Sequence, residues 1–289
     1  MSNQRPWLPG LRTRTTPVPE GDTIFRAART LDRALSGHAV TKFDTQLSAL
    51  GVVDQRAPVA GRTVESVAAR GKHLLMTLSG DLILRTHMRM HGSWHIYRPG
   101  ERWRASARDA RIVIATTEWV AVAFRVSEAE FLSTRELDHH PRLSALGPDL
   151  LADIPDLATM RVRIREAPAR HIAEALLRQQ SLAGIGNVYK SELLFLSGVH
   201  PMTPVSSISD EILDDLVRQA RKLLALNVAE TSIAGAGRFG RVTTGRLNPR
   251  EQLWVYGRAG EPCYKCSTLI SSASETEGRR TYWCGKCQV

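Results

Sequence analysis

The chain has 289 residues, a formal charge of +10, 43% hydrophobic residues and four cysteines. Such a length fits two domains better than one, and the ordinary apolar share excludes a collagen, a coiled coil or a wholly disordered polymer. No apolar run is long enough to cross a bilayer, and residues 1–18 lack the apolar core of a signal peptide, so a cytoplasmic protein is expected.

In chain order, residues 1–18 are rich in Pro, Thr and Arg and have no hydrophobic period, which reads as a disordered leader. From Asp22 to Leu35 the residues Ile24, Ala27, Ala28, Leu31 and Leu35 recur at helical spacing, and Gly37 ends the helix. From Val40 to Phe131 the chain is a series of short Val/Ile/Leu/Thr-rich runs punctuated by glycines, among them His73–Leu78, Leu82–Thr86 and Ala110–Ala115. Many closely spaced strands predict a β-sandwich or barrel. Residues His139–Pro148 read as a linker, after which helical spacing dominates over Ile172–Gln179, Asn187–Leu196 and Ile212–Leu226. Between two of these helices lies Leu182-Ala183-Gly184-Ile185-Gly186-Asn187. Its glycines make a tight turn, or they expose backbone N–H groups to a phosphate at the start of the second helix, with Asn187 as N-cap or reaching nucleic acid.

The positive charge favours polyanionic partners, because Lys and Arg displace the counterions condensed on phosphates. It is uneven: Arg238–Val289 holds nine Lys and Arg against four Glu and no Asp, and it contains all four cysteines. Cys263-Tyr-Lys-Cys266 is followed by seventeen residues and then Cys284-Gly-Lys-Cys287. Two such knuckles let four thiolates surround one Zn2+ in a closed, structural site with no position left for water. The alternatives are two disulfides, disfavoured without secretion, or four unrelated cysteines. Between the knuckles, Thr268–Ser272 and Thr281–Trp283 predict two strands joined by a turn with Gly278, Arg279 and Arg280.

Six motifs, in order, resemble the bacterial formamidopyrimidine-DNA glycosylase and endonuclease VIII family. They are Pro19-Glu20-Gly21-Asp22, Arg70-Gly71-Lys72-His73, Leu146-Gly147-Pro148-Asp149, the Gln180–Asn187 stretch, Val255-Tyr256-Gly257-Arg258 and Gly278–Cys284. The resemblance covers nearly all of residues 19–289. It implies an α+β fold: a two-layered β-sandwich catalytic domain over 19–138, a linker over 139–150, a helix-two-turn-helix domain over 151–250 and a zinc finger over 251–289. It implies a monomeric DNA-repair glycosylase and AP lyase of the bacterial cytoplasm and nucleoid, with one structural Zn2+ and no membrane contact. Its partner is damaged double-stranded DNA or DNA with AP sites, cleaved by β,δ-elimination. The Gly-Asp-Thr opening, the His-Met-Arg-Met-His-Gly segment and the Tyr-Trp-Cys ending look closer to the endonuclease VIII branch, of actinobacterial type, which prefers oxidised pyrimidines.

By that resemblance, Pro19 is the nucleophile whose secondary amine condenses with sugar C1′ to an iminium. Glu20 is the proton donor to the ring oxygen. Lys72 holds the phosphate beside the lesion and assists β-elimination, Arg279 meets the same phosphate in δ-elimination, and Asn187 contacts phosphate between the helices. Bases inside a duplex cannot be attacked in place, and Arg89, Met90 and His91 occupy the position of the family's gap-filling residues, where ordinary turn and core placement is the alternative.

Two departures stand out. Thr23 occupies the place of a glutamate often found in endonuclease VIII. More seriously, residues 1–18 turn the Pro19 nitrogen into an amide whose lone pair is delocalised, and such a nitrogen forms no iminium. Val18 stands where an initiator Met is expected, and valine is how a GUG codon reads internally. Translation from position 18 followed by Met removal would expose Pro19 and, losing Arg5, Arg12 and Arg14, leave a charge of 10 − 3 = +7. If Pro19 stays capped, the expectation becomes a non-catalytic damaged-DNA-binding protein. A general zinc-ribbon nucleic-acid module accounts for neither the Pro-Glu-Gly-Asp nor the Arg-Gly-Lys motif.

Overall fold

The computed structural model describes residues 18–151, 156–229, 241–246, 248, 251–274 and 279–289. The leader up to residue 17 and the hairpin turn at Gly278 lie outside these.

The first unit is a sandwich of two four-stranded antiparallel sheets. One has the order β1-β6-β7-β5, with β1 Lys42–Thr45, β5 Ser93–Tyr97, β6 Ala110–Ala115 and β7 Val120–Phe124. The other has the order β2-β3-β4-β8, with β2 Val64–Arg70, β3 His73–Leu78, β4 Leu82–His87 and β8 Glu128–Leu132. Alternation along β6 sends Ala110, Ile112 and Ile114 inward while Arg111, Val113 and Ala115 stay half-exposed, as a strand covered on one face requires. Helix α1 (Gly21–Leu35) inserts Ile24, Ala28, Leu31 and Leu35 into the same core as Leu74, Met76, Leu78 and Leu84. The expected strands are present. The stretch from Val40 to Phe131 is not all strand, however, since Ser48–Arg56 forms helix α2 around buried Leu50.

β3 is buried on both faces because the supposed linker covers its outer side. Thr134–Asp138 (α3) and Pro141–Ser144 (α4) are short helices, the first closed by a Ser133–Glu136 capping box. Leu143 of α4 and Leu146 pack on Leu75 and Ile83. The linker is therefore a packed lid, not a bare tether. Asp149 extends it by accepting the Gly71 N–H at 2.7 Å, so the turn that carries Lys72 is pinned from the interdomain side.

The second unit contains α5 (Leu157–Arg165), α6 (Ile172–Leu177), α7 (Asn187–Leu196) and α8 (Asp210–Ala229), packed around Leu176, Tyr189, Leu193, Leu216 and Leu224. α7 is its axis. Every residue from Val188 to Phe195 is buried, including Lys190, Ser191 and Glu192. Glu192 accepts the N–H groups of Trp254 (2.7 Å), Val255 (2.9 Å) and Tyr256 (2.8 Å) and the Thr243 hydroxyl. Lys190 donates to Thr281, and the Asn187 amide donates to the Arg280 carbonyl at 2.9 Å. One helix thus holds both ends of the C-terminal module, whose strands β9 (Ser271–Ser274) and β10 (Arg280–Trp283) pair antiparallel. No described helix is long and apolar enough to cross a membrane.

Removing the Glu192 carboxylate strands three buried N–H groups, each worth about 1–3 kcal/mol. Glu192→Ala is expected to lose at least about 3 kcal/mol in urea unfolding, with the Trp254 fluorescence transition moving ahead of the transition followed by helical circular dichroism.

Candidate active site and four-cysteine centre

The site grows from the start of α1. Glu20 is the N-cap of that helix, its carbonyl accepting the N–H groups of Thr23 (2.9 Å) and Ile24 (3.1 Å). Its side chain points away from α1 and into the start of α7, 166 to 169 positions later. The carboxylate accepts the N–H groups of Gly186 (3.0 Å), Val188 (2.8 Å) and Tyr189 (3.3 Å). An acidic group at a helix N-terminus satisfies donors that have no partner within the helix and meets the positive end of its dipole. The close approach depends on missing side chains. A Cβ on Gly186 would lie 2.3 Å from the Glu20 carboxyl carbon, and one on Gly21 would lie 2.9 Å from the Gly184 Cα. Gly184 itself has φ +102° and accepts the Gly21 N–H at 2.9 Å, a conformation that glycine adopts freely.

Two sequence expectations are corrected here. The first turn of α7 is not an open phosphate cradle, because Glu20 already uses its N–H groups. Asn187 is not the N-cap either. Gly186 is, and Asn187 begins the helix with its amide turned to Arg280 and its buried Oδ1 without a partner among the described residues.

Beneath Glu20 lies an ion pair that sequence reading missed. Buried Arg241 grips buried Asp22 through two nitrogens, Nε at 3.1 Å, and reaches Glu20 at 3.8 Å. Its guanidinium also lies 4.5 Å above the Tyr189 ring. Burial works against ionising Asp22, yet the charge and hydrogen bonds of Arg241 outweigh it and hold Asp22 below the usual carboxylate range. Asp22 was visible as part of a motif. Arg241 lies in an aperiodic stretch and had no signal of its own.

The structure brings Glu20, Lys72 and Arg279 into one electrostatic neighbourhood, with Pro19 half-buried and adjacent to Glu20. Burial pushes the Lys72 ammonium down to about 8; Glu20 and Asp22 oppose the shift, and Arg279 and Arg241 add to it. Arg279 is exposed, at the foot of β10. Two carboxylates and three cations therefore converge on the ends of α1, β3, α7 and β10.

Lys72 leads into β3, where His73 pairs with His87 of β4, and the proposed gap-filling turn begins one residue later. Met88 is buried in the core, whereas Met90 is 56% exposed and Arg89 and His91 are also at the surface. The turn is preformed. Arg89 has φ +51°, the Gly92 N–H bonds to Met88 O at 2.8 Å, and a Cβ on Gly92 would lie 2.4 Å from that oxygen. Burial pushes His87 down to about 4, so its ring is neutral and Nδ1 accepts the Arg89 N–H at 3.0 Å.

The sulfurs of Cys263, Cys266, Cys284 and Cys287 all lie within 4.8 Å of one another, and no disulfide joins them. Three of the separations are 3.4, 3.5 and 3.9 Å. A tetrahedron with metal–sulfur bonds of about 2.3 Å has edges of about 3.8 Å. The donor set therefore fits a metal ion.

Two family descriptions match this chain, the formamidopyrimidine-DNA glycosylase N-terminal domain over residues 18–137 and the formamidopyrimidine-DNA glycosylase H2TH domain over residues 146–236. The chain belongs to the formamidopyrimidine-DNA glycosylase family. Within this family it is 41% identical to the probable endonuclease 8 2 of Streptomyces coelicolor, over 94% of each chain. It is 39% identical to endonuclease 8 2 of Mycobacterium tuberculosis, over 94% of this chain and all of that one. It is 36% identical to the DNA-(apurinic or apyrimidinic site) lyase Nei2 of Mycolicibacterium smegmatis, over 94% of this chain and 99% of that protein. In fold it is similar to the Lactococcus lactis formamidopyrimidine-DNA glycosylase crystallised with DNA containing an AP site. That likeness has a TM-score of 0.77 at 21% identity and covers 93% of this chain and 99% of the other. The glycosylase fold thus accounts for the sandwich, the helical unit and the cysteine hairpin together.

Two outcomes test this geometry. Gly186→Ala should force Glu20 off α7 and cost about 1–3 kcal/mol in thermal unfolding, while Glu20→Ala/Gly186→Ala should lose little beyond Glu20→Ala alone. For Lys72 the folded chain holds its proton less tightly than the unfolded chain, so its charge costs stability below pH 8 and the cost fades as pH rises from about 8 towards 10.5. Lys72→Met should therefore raise the melting temperature at pH 7 and bring no gain near pH 10.5.

Proposed function

We propose that this chain is a base-excision DNA glycosylase and AP lyase, with Pro19 as nucleophile. The observation that supports the reading is the convergence of Pro19, Glu20, Lys72 and Arg279, supplied by three separate parts of the chain, on one electrostatic neighbourhood. The secondary amine of Pro19 adds to C1′ of the damaged nucleotide while Glu20 delivers a proton to the ring oxygen, and the base departs. Protonation opens the C1′–O4′ bond, the nitrogen lone pair of the adduct expels the base and leaves an iminium at C1′, and this iminium accepts the electron pair when C2′–H is broken and the 3′ phosphate leaves. Lys72 and Arg279 offset the negative charge at the phosphates through β- and δ-elimination. Asn187 contributes at the backbone near the helical unit. Arg89, Met90 and His91 fill the gap left by the extruded base.

This chemistry requires a free Pro19 nitrogen, so the active form is the one in which the Val18–Pro19 peptide bond is absent. Its N-terminal sequence should begin at Pro19. Borohydride should trap that form on lesion DNA and leave the chain starting at Met1 unlinked. Trapping of the Met1 chain would overturn the assignment of the nucleophile. Glu20→Gln should abolish base excision, since a carboxamide is far too weak an acid to protonate the ring oxygen.

Zn2+ is the metal we assign to the four cysteines. It supplies no bond-making step and fixes β9 and β10 so that Arg279 faces Lys72. Chelation should remove DNA binding and cleavage together. A chelated protein that still cleaved normally would sink this role. Among lesions, thymine glycol and dihydrouracil should be excised faster than 8-oxoguanine from matched duplexes, as expected of the endonuclease VIII branch. Duplex DNA with a damaged base or AP site is the proposed partner of a monomer in the bacterial cytoplasm.

A further inference from the structure

The outer face of the β2-β3-β4-β8 sheet carries a charged network of which the proposed function uses only Arg89. At its centre Glu128, on β8 and paired in register with His87, accepts hydrogen bonds from three arginines on three different elements. Arg85 of β4 donates at 3.1 Å, Arg89 of the exposed turn donates through Nε at 2.8 Å with a second nitrogen at 2.7 Å, and Arg142 of α4 donates to the oxygen that Arg85 uses. Arg85 does not depend on Glu128 for its charge balance, because Glu130 faces it directly. The carboxylate that matters to the turn is therefore surplus to the sheet.

Its geometry serves the turn. Arg89 is held at φ +51°, a conformation that non-glycine residues rarely adopt without support. His87 fixes the Arg89 backbone N–H while Glu128 takes its guanidinium through two nitrogens, so both ends of the residue are anchored. With Arg89 drawn towards β8 and Met88 buried, Met90 and His91 are left as the outward side chains of the turn. Both Arg89 nitrogens converge on the one oxygen Oε2, while Arg85 and Arg142 share Oε1.

We propose that Glu128 is a positioning residue for base extrusion: it holds Arg89 against β8 so that Met90 stands ready to enter a DNA duplex, and through Arg142 it ties that turn to the interdomain lid. This rests on the reading above that the substrate is lesion-bearing duplex DNA. Side-chain order before contact lowers the entropy lost on insertion, so the effect falls on opening the helix and not on bond cleavage.

The test uses the full chain starting at Pro19 and a duplex carrying a tetrahydrofuran abasic analogue with 2-aminopurine beside it. The analogue resists cleavage, so the fluorescence rise reports unstacking alone. Glu128→Ala and Glu128→Gln should each slow that rise about fivefold, the scale of one partly exposed ion pair. Neither should change affinity for the same oligonucleotide as a single strand, measured by anisotropy. Arg89→Ala should slow the rise as much, and Arg89→Ala/Glu128→Ala should be no slower than either alone. Glu128 variants with wild-type unstacking rates, additive losses in the double variant or an equal loss on single strands would overturn the proposal. A wild-type chain that binds the analogue duplex no better than undamaged duplex would overturn the functional reading itself.

Discussion

Everything else in the site depends on one carboxylate lodged in the first turn of a distant helix. Glu20 caps α1 with its backbone and α7 with its side chain, and so welds the sandwich to the helical unit across 166 residues of sequence. Three N–H groups with no partner inside α7 find one in Glu20, and the weld tolerates no side chain at Gly186. Pro19 precedes this anchor by a single residue. Its position is therefore inherited from the anchor.

The second requirement is charge density in a partly desolvated place. Asp22, Arg241, Lys72 and Glu20 share a neighbourhood in which an unbalanced charge is costly, and the Asp22–Arg241 pair absorbs most of the conflict. Lys72 is left short of balance, and burial dominates its shift towards neutrality. A group in that state gains by meeting a phosphate, which would supply the negative charge that the folded protein withholds. α7 completes the arrangement from the other side. Its buried Lys190 and Glu192 bind the C-terminal module at two places, so that Arg279 arrives on a support as firm as that beneath Glu20.

Much of this was legible in the sequence where a local rule applied. The 3.6-residue period of Ile24, Ala28, Leu31 and Leu35 delimits α1 to within a residue, and Asn187–Leu196 is read off with the same limits. The four cysteines announce their cluster through spacing alone. What was not legible has no local rule. Arg241 sits in an aperiodic segment, and nothing near it in sequence tells of Asp22, 219 residues away. The Gly184-Ile185-Gly186 stretch signals available N–H groups, but their occupant is the Glu20 side chain, 166 residues earlier, and not an external phosphate. α2 has no clear signal because its apolar residues Ala49, Leu50, Val52 and Val53 form no helical stripe and only Leu50 is buried. Within the stretch that reads as a linker, α4 has no signal because it is a single turn whose purpose, covering Leu75 and Ile83, belongs to tertiary structure.

Gly186 joins the histories of two stretches that lie 166 codons apart in the gene. It performs no chemistry, yet any heavier residue there would occupy the space of the Glu20 carboxyl group. While Glu20 is retained, drift at codon 186 is closed, however mild the replacement. In a descendant that had surrendered the carboxylate, that constraint would lift at once, and side chains would accumulate at 186 as they do at any crowded but inert position. The pair would thus serve as a fossil marker in a lineage: a glycine kept at 186 records selection still acting on residue 20, and its loss dates the moment when that selection ceased.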